Sequence, residues 1–232
     1  MVAHKQRAPR TYRSSSRETQ ARLTRQRVLG AAPAVFLARG YAGATMRAIA
    51  TAADVSVPTV ESLFGTKARV LKAAIDVAIA GDDEPIAVLD RSWTVAAVLS
   101  ETADEFLAIV AGVIGPAQAR SAGLVLAVFE GSSTDSELAE LAGEMIAQRS
   151  KTAEWLIDAL IRKSPLRAGC TKPEAIDTLW ILMDPAVFDR LIRQRRWTQM
   201  HYQRWFALSA RRLLIADATS TKPTPTTQRS SQ

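Results

Sequence analysis

Apolar residues recur at helical spacing along nearly the whole 232-residue chain, and no stretch alternates with the period of two that a strand requires. The first stripe, Val28, Ala31, Ala32, Val35 and Phe36, predicts a helix from near Arg17 to Arg39, with Ser16 as cap and Gly40 as stop. Pro33 should kink it, because proline removes a backbone hydrogen bond. Thr45 then caps a short helix with Ile49, Ala50 and Ala53 on one face, and Asp54 falls where the chain must turn. Ser56 caps a second short helix with Val60, Leu63 and Phe64 inward. Thr66 and Lys67 open a longer one reaching Ala80, with Val70, Leu71, Ala74 and Val77 inward.

Beyond a loop at Gly81 to Pro85, every later segment keeps the helical period. Phe106, Ile109, Val110 and Val113 form a stripe that Gly115 and Pro116 should break, and Leu124 to Phe129 continue after it. Thr134 and Glu137 read as a capping box opening a helix to about Arg162, roughly 40 Å long at about 1.5 Å per residue. Thr171 and Glu174 read as another box, Asp184 and Pro185 as a stop and new start, and Thr198 as the cap of the last helix. The expected fold is all-α. It divides into a disordered basic arm (1–16), a helix-turn-helix domain (17–80), a larger helical domain (81–217) and a disordered Thr, Pro and Ser-rich tail (218–232).

Two short helices joined tightly, between Thr45 and Lys67, have the form of a helix-turn-helix, which lays its second helix in the DNA major groove. Val57, Thr59, Glu61 and Ser62 are its candidate base-facing positions, with Ser56 at the cap. Thr45 and Arg47 suit phosphate, since a helix N-terminus offers free N–H groups and a positive dipole end. Lys67 is informative for the opposite reason: a cation beside a helix N-terminus is disfavoured unless an anion is near. Charge agrees. The formal charge is +7, and residues 1–30 carry eight Lys or Arg against one acid, while the remainder carries 22 of each sign. A basic end on a neutral body fits a chain that touches nucleic acid at one end, and Arg7, Arg10, Arg13 and Arg17 form a candidate minor-groove arm.

Other classes are disfavoured. Cys170 is the only cysteine, so no internal disulfide or cysteine metal cluster is expected, which suits a cytoplasmic protein. Val28 to Ala38 imitates a secretory leader after basic residues, but its helical stripe supports the domain that follows. The longest apolar run, Phe106 to Ala117, falls short of the 18 or so residues of a membrane span, so no membrane partner is expected. With two histidines, no nucleotide-binding glycine motif and no paired metal ligands, an enzyme is not expected, nor any metal or cofactor. Trp93, Phe106, Phe129, Met145, Trp155, Trp180 and Met183 are candidates to line an apolar pocket for an unknown small-molecule effector, and Asp104, Glu105 or Asp158 to neutralise a cationic one.

Residues 24 to 73 resemble the DNA-binding domain of TetR-family transcriptional repressors. The resemblance is carried by T-R-Q-R-V-L-G-A-A and F-L-A-R-G-Y (Thr24 to Tyr41), T-M-R-A-I-A-T-A-A (Thr45 to Ala53), V-S-x-x-T (Val55 to Thr59) and F-G-T-K (Phe64 to Lys67). It implies an all-helical homodimer with a C-terminal domain that often encloses a small molecule. Dimerisation would use the last long helices, roughly 172 to 183 and 199 to 216, with a short 185 to 195 helix between. Three positions depart from the family pattern: Asp54 replaces a usual glycine, Pro58 a small residue, and Glu61 an aromatic that contacts the DNA backbone. Pro58 should delay the second helix by a residue, and Glu61 either accepts from a cytosine amino group or turns away from DNA. The expected function is a ligand-released repressor acting on a double-stranded operator; the alternative is an adaptor that kept the fold and lost operator binding.

Overall fold

The computed structural model describes residues 11–84 and 86–216, and within them ten α-helices follow one another without a strand. They are α1 (Thr11–Gly43), α2 (Met46–Ala52), α3 (Val57–Phe64), α4 (Lys67–Ala80), α5 (Ser92–Leu99), α6 (Ala103–Gly131), α7 (Ser136–Ile161), α8 (Lys172–Leu182), α9 (Pro185–Asp189) and α10 (Gln199–Leu214). The fold is all-α, as the periodicity required. Residues 1–10 of the expected arm and the whole expected tail, 218–232, lie outside the described residues.

Local differences have local causes. Helix α1 opens at Thr11 rather than near Arg17, so Ser16 lies inside it and not at its start. The backbone stays helical across Pro33, and the non-helical residue is Gly40, whose φ of 64° and ψ of 173° only glycine adopts readily. Helix α6 runs unbroken through Gly115 and Pro116. A β-carbon at Gly115 would lie 2.5 Å from the Gln203 side chain, so glycine there answers to a close neighbour and not to a helix stop. Thr134 does not cap α7; its hydroxyl donates to the Gly131 carbonyl while Asp135 accepts from the Leu138 amide. Helix α5 has no counterpart among the helices expected from the periodicity. The 185 to 195 helix is α9 followed by a π turn at Arg190–Gln194.

The chain clusters into two units: Met1–Val88 with Ala117–Ile146, and Leu89–Pro116 with Ala147–Gln232. In the first, Val28, Phe36, Ile49, Val60, Leu71 and Ile75 are fully enclosed beside Leu124, Val128 and Leu138. Each such side chain contributes about 1.5–3 kcal/mol on burial. Arg120 closes the end of α4, its Nε donating to the Ala78 carbonyl at 2.7 Å. In the second unit Phe106, Leu107, Leu156, Ile157, Tyr202 and Phe206 are buried. Helix α6 is long and apolar enough to cross a membrane, with a mean hydropathy of 1.4 over 18 residues, contrary to expectation. Its apolar residues are nonetheless used internally: Phe106, Leu107 and Val110 belong to one core, Leu124, Val125 and Val128 to the other.

Capping chemistry in the second unit is complete where the sequence placed it. Thr171 accepts from the Glu174 amide while Glu174 accepts from the Thr171 amide at 2.8 Å, Asp184 caps α9, and Thr198 accepts from the His201 amide. The Tyr202 hydroxyl, buried, donates to the Leu182 carbonyl at 3.1 Å and so ties α10 to the end of α8. Burial, and then Asp184, hold that phenol above its ordinary range.

Tyr202→Phe should therefore cost about 1–2 kcal/mol, because the Leu182 carbonyl loses its donor in a dry place. Urea denaturation checks this, and an unchanged midpoint would refute the bond's contribution. The Thr171 amide and hydroxyl lower the pKa of Glu174. A carboxylate depressed by folding adds stability above its unfolded value, about 4.3, and loses it as pH falls through the folded one. Between about pH 5 and 3 the melting temperature of Glu174→Gln should fall less steeply than that of the parent.

Candidate nucleic-acid interface

Helix α2 starts because Thr45, in extended conformation, accepts from the Ala48 amide at 3.1 Å. Ile49, Ala50 and Ala53 are buried on its inner side. It ends in a Schellman motif: the Asp54 amide donates to the Thr51 carbonyl and the Val55 amide to the Ala50 carbonyl, with Asp54 left-handed at φ 52°. Ser56 then accepts from the Thr59 amide at 3.2 Å and opens α3. The helix begins at Val57, not one residue late, because the cap bond compensates the bias that Pro58 imposes on its predecessor. Val60 and Phe64 are buried, and Gly65 at φ 80° and Thr66 restart the chain as α4.

The anchoring of α2 and α3 leaves a defined outer face. Thr45, Arg47, Ser56, Pro58, Glu61 and Ser62 are exposed, and Val57 and Thr59 are half-buried. The Ser56 and Thr59 hydroxyls are 2.7 Å apart and hydrogen-bonded to each other. Pro58, Thr59 and Ser62 line one side of a groove of about 350 Å³, with Gln20, Ala21 and Thr24 of α1 opposite. Glu61 stands exposed and outside that lining, and its carbonyl accepts from the Gly65 amide.

Lys67 has a partner within the chain. Its Nζ donates to the Tyr41 carbonyl at 2.7 Å and lies 4.0 Å from the centre of the Tyr41 ring. Desolvation lowers its pKa, and Asp135 partly offsets the shift. Tyr41 in turn donates to Asp135 at 3.2 Å, and burial followed by that carboxylate holds its phenol above the usual range. The cation that looked misplaced at the start of α4 thus braces the corner after Gly40. Of the candidate arm, Arg17 is exposed, Arg13 lies within α1, and Arg7 and Arg10 lie outside the described residues.

The pocket candidates divide between the two units. Phe129 and Met145 pack on the core of the first unit, next to the helix-turn-helix. Trp93, Phe106, Trp155, Trp180 and Met183 belong to the second. There Trp93 and Trp155 meet edge to face at 5.7 Å, and the Arg149 guanidinium lies 3.8 Å over the Trp180 ring while its Nη1 pairs with Asp184 at 2.9 Å. The acids expected to meet a cationic ligand are engaged elsewhere. Asp104 pairs with Arg211 at 3.0 Å, Asp158 with Lys172 at 2.7 Å, and Glu105 accepts from the amides of Glu101 and Thr102. Sequence spacing could not reveal these partners, because each is remote in sequence or set by loop geometry.

Residues 28–74 match the family model described as bacterial regulatory proteins, tetR family. No curated protein sequence matches the chain. Among solved structures, the regulator FadR from Bacillus subtilis in complex with stearoyl-CoA shares 17% identity and a TM-score of 0.62, over 80% of this chain and 96% of that one. A TetR-family regulator from Cytophaga hutchinsonii shares 18% and 0.61, over 85% and 98%. NalD of Pseudomonas aeruginosa, the secondary repressor of the MexAB-OprM multidrug efflux pump, shares 20% and 0.60, over 85% and 99%. Identities this low establish the common fold. The family match adds that residues 28–74, about a fifth of the chain, are similar to the DNA-binding domain of tetR-family regulators.

Proposed function

We propose that the chain is a homodimeric repressor that holds a pseudo-palindromic operator and releases it when a small molecule binds in residues 81–217. The observation that carries this reading is the pairing, on the tetR-type domain 17–80, of a capped α3 whose Pro58, Glu61 and Ser62 are exposed with Thr45 and Arg47 at the start of α2. Ser56, whose hydroxyl is engaged with Thr59, is assigned to holding the start of α3 against the DNA, and Thr45 and Arg47 to phosphate. Lys67 joins them through the ammonium protons not given to Tyr41, since an ammonium has three to donate. Val57 and Thr59 offer methyl groups to thymine, Ser62 a hydroxyl, and Glu61 an acceptor for a cytosine amino group.

Dimerisation is assigned to α8 and α10. They pack on one another and leave Ile181 53%, Met200 79%, Leu208 42% and Leu213 45% exposed, apolar surface available to a second copy. A ligand is supported by the buried indole N–H groups of Trp93 and Trp180, which have no acceptor among the described side chains and backbone. Related folds carry ligands and repress: FadR binds stearoyl-CoA and NalD is a repressor. The exposed carboxylate of Glu61 favours a second reading, an adaptor without operator affinity, because it would repel a phosphate.

Selection from a random pool of duplex oligonucleotides should return a palindrome with half-sites about one turn, 34 Å, apart. Recovery of no sequence preference would favour the adaptor. On the selected DNA, Arg47→Ala should weaken binding across sequences and reduce the slope of log affinity against log salt by about one unit. An unchanged slope would remove Arg47 from the phosphate contacts.

A further inference from the structure

Helix α2 has no basic residue in its last turn, yet its carboxyl end is occupied by a cation. The guanidinium of Arg27, in α1, donates through Nη2 to the Ala53 carbonyl at 2.8 Å, to the Asp54 carbonyl, and to the Asp54 carboxylate at 3.0 Å. These are the acceptors that the Schellman motif of α2 leaves open, and a positive charge there opposes the negative end of the helix dipole. The residue so held is one of only two non-glycine residues with positive φ among those described, Asp54 and Arg196. The left-handed region is costly for any residue with a β-carbon, less so for Asp than for most.

We infer that Arg27 is a positioning residue for DNA recognition: it locks Asp54 in the left-handed turn between α2 and α3, and thereby fixes the angle at which α3 is presented. The inference rests on the DNA-binding reading of α3 but assigns Arg27 no contact with DNA. Its Nη2 is committed to the turn, and its carboxylate partner neutralises it. Without the lock the turn samples other conformations, and affinity falls by the fraction of molecules that still hold the binding geometry. Asp54 and Arg27 thus replace together what a glycine would supply alone.

Three variants of the full chain test the lock on DNA selected by the parent protein. Arg27→Ala should lose about tenfold in affinity with its salt slope unchanged, because no phosphate contact goes with it. Asp54→Gly should bind within about twofold of the parent, since glycine enters the left-handed region without strain. Combining the two should recover most of the loss, to within about threefold. A salt slope reduced by about one in Arg27→Ala would show that Arg27 grips phosphate instead, and would overturn the inference. So would a double variant no better than Arg27→Ala, or an Arg27→Ala protein that binds as the parent does. Should the parent select no DNA, the function proposed above fails separately, and the lock is then read by hydrogen exchange. The Asp54 and Val55 amides should exchange about tenfold faster in Arg27→Ala and return to the parent rate when Asp54→Gly is added. Unchanged exchange in Arg27→Ala would again refute it.

Discussion

Seven residues in α2 and eight in α3 are too few to hold a helix in water, where isolated helices shorter than about 12–15 residues are marginal. Everything at the interface depends on how that deficit is met. Two devices meet it. Hydroxyl caps at Thr45, Ser56 and Thr66 each satisfy one free amide, that of Ala48, Thr59 and Arg69, in the first turn of three successive helices. The core formed by Phe36 of α1, Ile49, Val60 and Leu71 then fixes the helices against one another. Because Val60 and Phe64 must face that core, the outward position of Pro58, Glu61 and Ser62 follows from the helical period alone.

This explains which parts of the structure were legible. Cap chemistry is local, so Thr45, Ser56, Thr66, Thr171, Asp184 and Thr198 could be read from neighbours three residues away or fewer, and each caps a helix. The same rule failed at Thr134 because Asp135, one residue on, offers a carboxylate at a better position. Proline rules failed inside α1 and α6, where long apolar faces are buried on either side of Pro33 and Pro116. One lost hydrogen bond is small beside several buried side chains. Pocket candidates divide between the two units for a different reason. Helical spacing identifies an inward face but not the unit it enters, and α6 and α7 each supply residues to both.

Charges were the least legible part. Lys67, Asp104 and Asp158 each looked like a site in sequence, and each turned out to have a protein partner distant along the chain. A solitary charge in a sequence is therefore weak evidence for a ligand. The converse case is Arg27, which carried no signal. It lies in a run of basic residues, and only the fold brings it to the carboxyl end of α2.

The departures in α3 also bear on where phosphate is held. Helix N-termini bind anions through amides that lack intrahelical partners. In α3 Pro58 has no amide proton, the Thr59 amide is taken by the Ser56 hydroxyl, and the Val60 amide by the Ser56 carbonyl. Ser56 and Thr59 also use their hydroxyls on each other. The α3 terminus thus has little left for a phosphate, while Glu61 one turn on adds a negative charge. At the start of α2 the equivalent amides are taken too, Ala48 by the Thr45 hydroxyl and Ile49 by the Thr45 carbonyl, but Arg47 keeps the amide proton that Pro58 lacks and brings a guanidinium to the same turn. On the function proposed above, α2 is therefore better equipped than α3 for the DNA backbone, and α3 for base edges, where a carboxylate is an acceptor and not a liability.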